Sequence, residues 1–171
     1  MFDPDISNVA APYPGGVPAR PVPAAYLPER AALGPVLDRQ LALCRRSGQS
    51  LAYLSISLDG LEALAAGADG SDKGGAAGDP AASLPRVLQV LWARLRGNLR
   101  STDQLLRLGR DEFGALLIGA RPGSVAPVRA RLTRLLSQPC VLGTQTVAVS
   151  ARIGTGLFPQ SGQTSDELLR D

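Results

Sequence analysis

Histidine is absent from this chain of 171 residues, lysine occurs once, at Lys73, and the only cysteines are Cys44 and Cys140. Two lone, distant thiols with no histidine exclude a zinc site and a Cys–His nucleophile. No apolar run approaches the ~18 residues of a membrane span, and the N-terminus lacks a basic-then-apolar signal pattern. A membrane span is therefore not expected, and the cytoplasm is the expected location. Nor is there a basic block that could track a phosphate backbone, so nucleic acid is not an expected partner.

What the chain does have is enough for one domain with a core, since 44% of its residues are hydrophobic. Its formal charge is +3, and apart from Lys73 every basic residue is arginine. Arginine forks well onto phosphate and guanine edges. A GC-rich coding bias, which would also raise Ala, Gly and Pro, explains the same excess.

Prolines are concentrated at the start. Seven of the fourteen lie within residues 1–28, and such a segment is neither helix nor central strand but an extended tail or linker. From about Glu29 to Arg46 the spacing of Leu33, Leu37, Leu41 and Cys44 predicts a helix, kinked at Pro35 or starting later near Gly34. Leu51–Leu58 alternates as a strand. Leu61–Ala66 reads as a short helical piece, and Gly67–Ala82 as a Gly/Ala/Asp-rich loop. A helix over Leu84–Leu99 carries Val87, Leu88, Leu91, Leu95 and Leu99 on one face. Gln104–Leu108 and Phe113–Ile118 are apolar runs around a polar tetrapeptide, which predicts a β-hairpin with Gly109 allowing the bend. Pro122 suits the first turn of a helix over Val125–Ser137. Val141–Val149 reads as a second hairpin turning at Gly143-Thr144, followed by a strand over Ile153–Phe158. This order predicts an α+β sandwich: helices flanking a mostly antiparallel central sheet.

The hairpin tip would set Asp111 beside Glu112. Paired carboxylates there either make a soluble turn or hold Mg²⁺, a hard cation that takes oxygen ligands.

The segment Gly109-Arg110-Asp111-Glu112-Phe113 resembles the signature of the GGDEF family of diguanylate cyclases, which join two GTP molecules into cyclic di-GMP. Further matches follow in the family's order: Leu27-Pro28-Glu29-Arg30, Leu54–Leu61, Ala151-Arg152-Ile153-Gly154 and Thr164–Asp171. The resemblance implies a ferredoxin-like cyclase palm over 29–171. The chain reaches Asp171 before the family's Ala-Asp…Ala-Lys stretch, so the closing helix is expected to be truncated.

By the same resemblance, one metal carboxylate should come from the first core strand and another from the signature. The second is present as Asp111, but the first aligns with Ser57, whose hydroxyl is a poor ligand for Mg²⁺. Asp59 follows two residues on and would share the face of Ser57 only if the strand stays regular. Arg110 replaces a glycine that lets GTP approach the backbone, and the base-binding Asp aligns with Pro85, with Asp79 the only nearby substitute. Catalysis is thus expected to be impaired, with Gly109, Asp111 and Glu112 as remnants. No cofactor is required, and Mg²⁺ enters only if GTP is bound.

The family's inhibitory motif, Arg-x-x-Asp five residues before the signature, is present as Arg100-Ser101-Thr102-Asp103. Arg131 falls where a further arginine completes that site. A guanidinium can fork onto guanine O6 and N7 while a carboxylate accepts from guanine N–H groups. Arg100 and Asp103 could equally form a surface ion pair ending the preceding helix. The expected function is a cyclic di-GMP receptor that signals to a protein partner or flanking domain, with homodimer formation left open. An active cyclase and a ligand-free interaction scaffold remain the alternatives.

Overall fold

A computed structural model describes residues 30–61, 80–142 and 145–170. The proline-rich stretch 1–28, most of the expected helical piece after Leu61, the loop up to residue 79 with Asp79, and the Gly143-Thr144 turn lie outside them.

Helix α1 (Arg30–Ser47) leads into strand β1 (Leu51–Asp59). Helix α2 (Pro80–Gly97) is followed by the hairpin β2 (Gln104–Arg107) and β3 (Glu112–Ile118). Helix α3 (Pro122–Leu136), the short strands β4 (Cys140–Leu142) and β5 (Gln145–Val147), strand β6 (Ser150–Phe158) and helix α4 (Ser165–Leu168) complete the order. The main sheet runs β2-β3-β1-β6 with every pairing antiparallel, while β4 and β5 pair separately. The expected α+β sandwich is what is found.

Both faces of the sheet are covered along the first part of β1, which is why Leu51–Leu54 is apolar and buried at every position. Ala52, Leu54, Ile56 and Leu58 join Val87, Leu91 and Leu95 of α2 and Val125, Leu132 and Leu136 of α3 in one buried cluster. On the opposite face Leu51 and Tyr53 meet Leu33, Leu37, Leu41 and Cys44 of α1, together with Leu168 of α4. Beyond Tyr53 the described residues no longer cover that second face. Ser55, Ser57 and Asp59 are only half-buried, although Ile56 and Leu58 between them remain buried. The polar residues of β1 thus stand where the sheet face opens to solvent.

Several expected boundaries shift. α1 runs unbroken from Arg30 through Pro35, so the later start near Gly34 does not occur. Its four buried side chains, one per turn, anchor both sides of that proline. α2 begins at Pro80 rather than Leu84, taking the last residues assigned to the loop, and ends at Gly97 rather than Leu99. β6 begins at Ser150 because its pairing with β1 extends to Asp59. Gly109 is not needed for its conformational freedom. Among the described residues the left-handed glycines are Gly48, Gly60 and Gly119, and a Cβ on Gly109 would meet Glu112 at an ordinary 3.6 Å.

Candidate functional site

The turn from α2 into β2 is built around Asp103. After Gly97 the chain descends through Asn98 and Leu99, whose amides donate to the carbonyls of Leu95 and Arg96 at 3.0 and 3.4 Å. Asp103 is 7% exposed, and both of its carboxylate oxygens accept from backbone. Oδ2 accepts from the Arg100 amide at 2.8 Å, and Oδ1 accepts from the Ile118 amide of β3 at 3.3 Å. One carboxylate thereby closes the turn and ties it to the sheet. Arg96 adds a second tie, its Nη1 donating to the carbonyls of Arg100 and Asp103 at 3.3 and 3.2 Å.

Against this turn lies a concavity of about 310 Å³. Arg100, Asp103 and Arg131 all line it, with Asn98 and Ser124 as further polar walls and Leu99, Leu117 and Val128 as apolar ones. Arg131, on the exposed side of α3, reaches back to donate to the Asn98 carbonyl at 2.7 Å. The Arg100 side chain is exposed and, among the described residues, makes no hydrogen bond or ion pair. The expected surface pair between Arg100 and Asp103 is therefore not formed, because the carboxylate bonds the Arg100 backbone instead. A pocket with two guanidinium groups at its rim and apolar walls offers forks for phosphate or guanine edges and a surface for a flat base.

The hairpin end is arranged differently. The Asp111 carbonyl accepts from the Leu58 amide at 2.8 Å, which fixes the tip against β1. Leu108 and Gly109 amides both donate to the Glu112 carbonyl, at 2.9 and 3.2 Å, and Arg107 Nε donates to the Gly109 carbonyl at 3.1 Å. Asp111 and Arg110 are exposed, and Glu112 is half-buried opposite Ser57. On its other side Ser57 faces Arg152. β1 does stay regular, so Asp59 shares the face of Ser57, but its Oδ1 accepts from Arg152 Nη2 at 2.8 Å.

Mg²⁺ demands near-octahedral oxygen ligands and is usually anchored by one or two carboxylates. Here β1 offers a neutral hydroxyl at Ser57 and a carboxylate already paired with an arginine at Asp59. Among the described residues no group of three or more acidic, cysteine or histidine side chains could hold a metal ion. With β1 contributing no uncommitted carboxylate beside Asp111 and Glu112, these donors fit Mg²⁺ poorly. Pro85, which aligns with the family's base-binding Asp, is an exposed residue of α2.

The family model described as "Diguanylate cyclase, GGDEF domain" matches residues 23–171. The chain belongs to the GGDEF family. The bifunctional diguanylate cyclase/cyclic di-GMP phosphodiesterase MucR of Pseudomonas aeruginosa is 32% identical over 143 residues, 84% of this chain and 19% of MucR. The isolated GGDEF domain of TpbB from the same organism superposes with a TM-score of 0.67 at 33% identity, covering 85% of this chain and 79% of that domain. Diguanylate cyclase SiaD of P. aeruginosa, solved with its activator SiaC, gives 0.60 at 25% identity over 77% of this chain and 46% of SiaD. The chain spans under a third of the length of its first curated relatives, 19% of MucR and 31% of TpbB.

Three functional candidates escaped the sequence. Asn98 lines the turn pocket and Arg96 braces the turn through the Arg100 and Asp103 carbonyls, roles that only the path of the chain after Gly97 creates. Arg152 needed the β1–β6 register, which no local pattern encodes.

Proposed function

We propose that this GGDEF domain is a receptor for cyclic di-GMP, bound at the turn between α2 and β2, and that its own cyclase chemistry is impaired. The observation that carries the reading is the convergence of Arg100, Asp103 and Arg131 on one concavity, with the Arg100 guanidinium making no bond among the described residues. Cyclic di-GMP presents two phosphodiester charges and two guanine edges. Arg100 and Arg131 supply the matching donors. Asp103 acts chiefly by holding the turn, and its remaining lone pairs can accept from a guanine N–H. Arg96 keeps the two turn carbonyls in place behind them.

At the hairpin end, joining two GTP molecules requires positioned metal and charge more than any covalent step by the protein. Asp111 and Glu112 are retained, but Ser57 brings no charge and Arg110 adds bulk at the tip. The Asp59 carboxylate is neutralised by Arg152. The domain therefore reads nucleotide without making it. A protein partner or flanking domain receives the signal; that a GGDEF-containing protein can engage a protein partner is supported by SiaD, solved in complex with its activator SiaC.

Thermal unfolding with cyclic di-GMP, and separately with GTP and Mg²⁺, tests this reading. Ligand at ~100 times Kd stabilises the folded state by about 2.7 kcal/mol, a shift of several degrees. A shift with the dinucleotide and no turnover of GTP is expected. Turnover that vanishes in Asp111→Ala would identify an active cyclase instead, and silence with both ligands would leave an interaction scaffold.

A further inference from the structure

Cross-strand neighbours on one face of an antiparallel sheet place their side chains together. On the open face of β1, Ser57 sits between Glu112 of β3 and Arg152 of β6. Asp59 pairs in register with Ser150, so Arg152 is its diagonal neighbour, and the two side chains meet at 2.8 Å. Arg152 stands within a nine-residue strand whose pairing is continuous with β1 on both sides of it. Its charge is therefore delivered to this spot by the sheet.

We propose that the Arg152 guanidinium is the resident counter-cation of this carboxylate end and keeps a divalent cation from binding there. A metal ion would need Asp59, the one carboxylate of β1, to leave the guanidinium. From β1 it would gain only the neutral Ser57 hydroxyl in exchange, with the Glu112 carboxylate across the strand as its neighbour. It would also enter as a double charge beside a fixed single one. At ~5 Å, even with the full screening of water, that repulsion weakens metal binding by about tenfold. Metal exclusion rests on Arg152 and Ser57 and does not involve the turn pocket, so it stands or falls separately from cyclic di-GMP binding.

The test is Mn²⁺ titration of the full chain, following loss of the free-ion electron paramagnetic resonance signal. The wild type is expected to bind Mn²⁺ weakly. Arg152→Ser, at a side chain 77% exposed, is expected to gain about tenfold in Mn²⁺ affinity. Adding Ser57→Asp should tighten it further, and the charge-preserving Arg152→Lys should match the wild type. Cyclic di-GMP affinity should be the same in Arg152→Ser as in the wild type. Equal Mn²⁺ affinity in the wild type and Arg152→Ser overturns the proposal, as does a gain in Arg152→Lys equal to that in Arg152→Ser. The single Arg152 variants keep the test decisive if Ser57→Asp disturbs the strand.

Discussion

Replacing Asp103 by alanine removes the acceptor from two backbone amides at once. The Arg100 amide loses its 2.8 Å partner inside the turn, and the Ile118 amide loses the 3.3 Å link from the sheet. With the side chain 7% exposed, water does not simply take over both places. A buried donor left unsatisfied costs about 1–3 kcal/mol. The longer bond to Ile118 belongs at the lower end, so Asp103→Ala should destabilise the domain by about 2–4 kcal/mol. Asparagine keeps one acceptor oxygen and turns the other position into a donor facing an N–H group, so Asp103→Asn should lose roughly half as much. Urea unfolding followed by circular dichroism measures both, with an unchanged m-value showing that stability alone has moved. A loss in Asp103→Ala within about 0.5 kcal/mol of zero, as for an ordinary surface change, would refute the view that this carboxylate holds the turn. The same experiment separates Asp103 from Arg100, whose side chain has no partner among the described residues and whose removal should leave stability nearly unchanged.

Glu167 closes a capping box with Thr164 at the start of α4, and its Oε2 accepts from the Gln163 and Thr164 amides at 2.6 and 3.3 Å. Those bonds hold its carboxyl below the ordinary value of 4.5. A lowered native pKa means that the stabilisation is complete above 4.5 and is lost as pH falls through the native value. The protection factors of the Gln163 and Thr164 amides, taken relative to intrinsic exchange at each pH, should accordingly fall only below about pH 4.5, and in Glu167→Gln, whose amide oxygen still accepts, that pH dependence should vanish. Leu91, fully buried between α2 and the sheet, should cost about 2–5 kcal/mol on truncation to alanine in the same urea assay. Gly60 has φ +91, and a Cβ there would lie 3.2 Å from the Ala148 carbonyl oxygen. Gly60→Ala should therefore cost about 1–3 kcal/mol by unfolding, against little for Gly123→Ala, where nothing lies within 4 Å.

Much of the fold was legible because local pattern and tertiary role agree. The four-residue spacing of Leu33, Leu37 and Leu41 is the face that α1 buries. Pro122 opens α3 because the first helical turn does not need its missing N–H. The start of α2 was not legible, since Pro80-Ala-Ala-Ser83 carries no apolar period and reads as more of the loop before it. At the turn site, the resemblance to the family's Arg-x-x-Asp motif singled out Arg100, Asp103 and Arg131, and the chain brings all three to one pocket. The division of labour between them was hidden. Whether a carboxylate bonds a neighbouring guanidinium or the backbone beneath it depends on burial, and Asp103 is buried by the packing of β3 under the turn. Arg152 was hidden for a different reason. It lies 93 residues from Asp59 in sequence, and only the β1–β6 register joins them.

The most direct test of the receptor reading is calorimetric titration of cyclic di-GMP into the wild type and Arg100→Ala. The wild type should bind at micromolar Kd or tighter. Loss of a charge-assisted fork worth about 1–3 kcal/mol should weaken Arg100→Ala by roughly 5- to 150-fold with the fold intact. No binding by the wild type, or equal affinity in the two proteins, would contradict it.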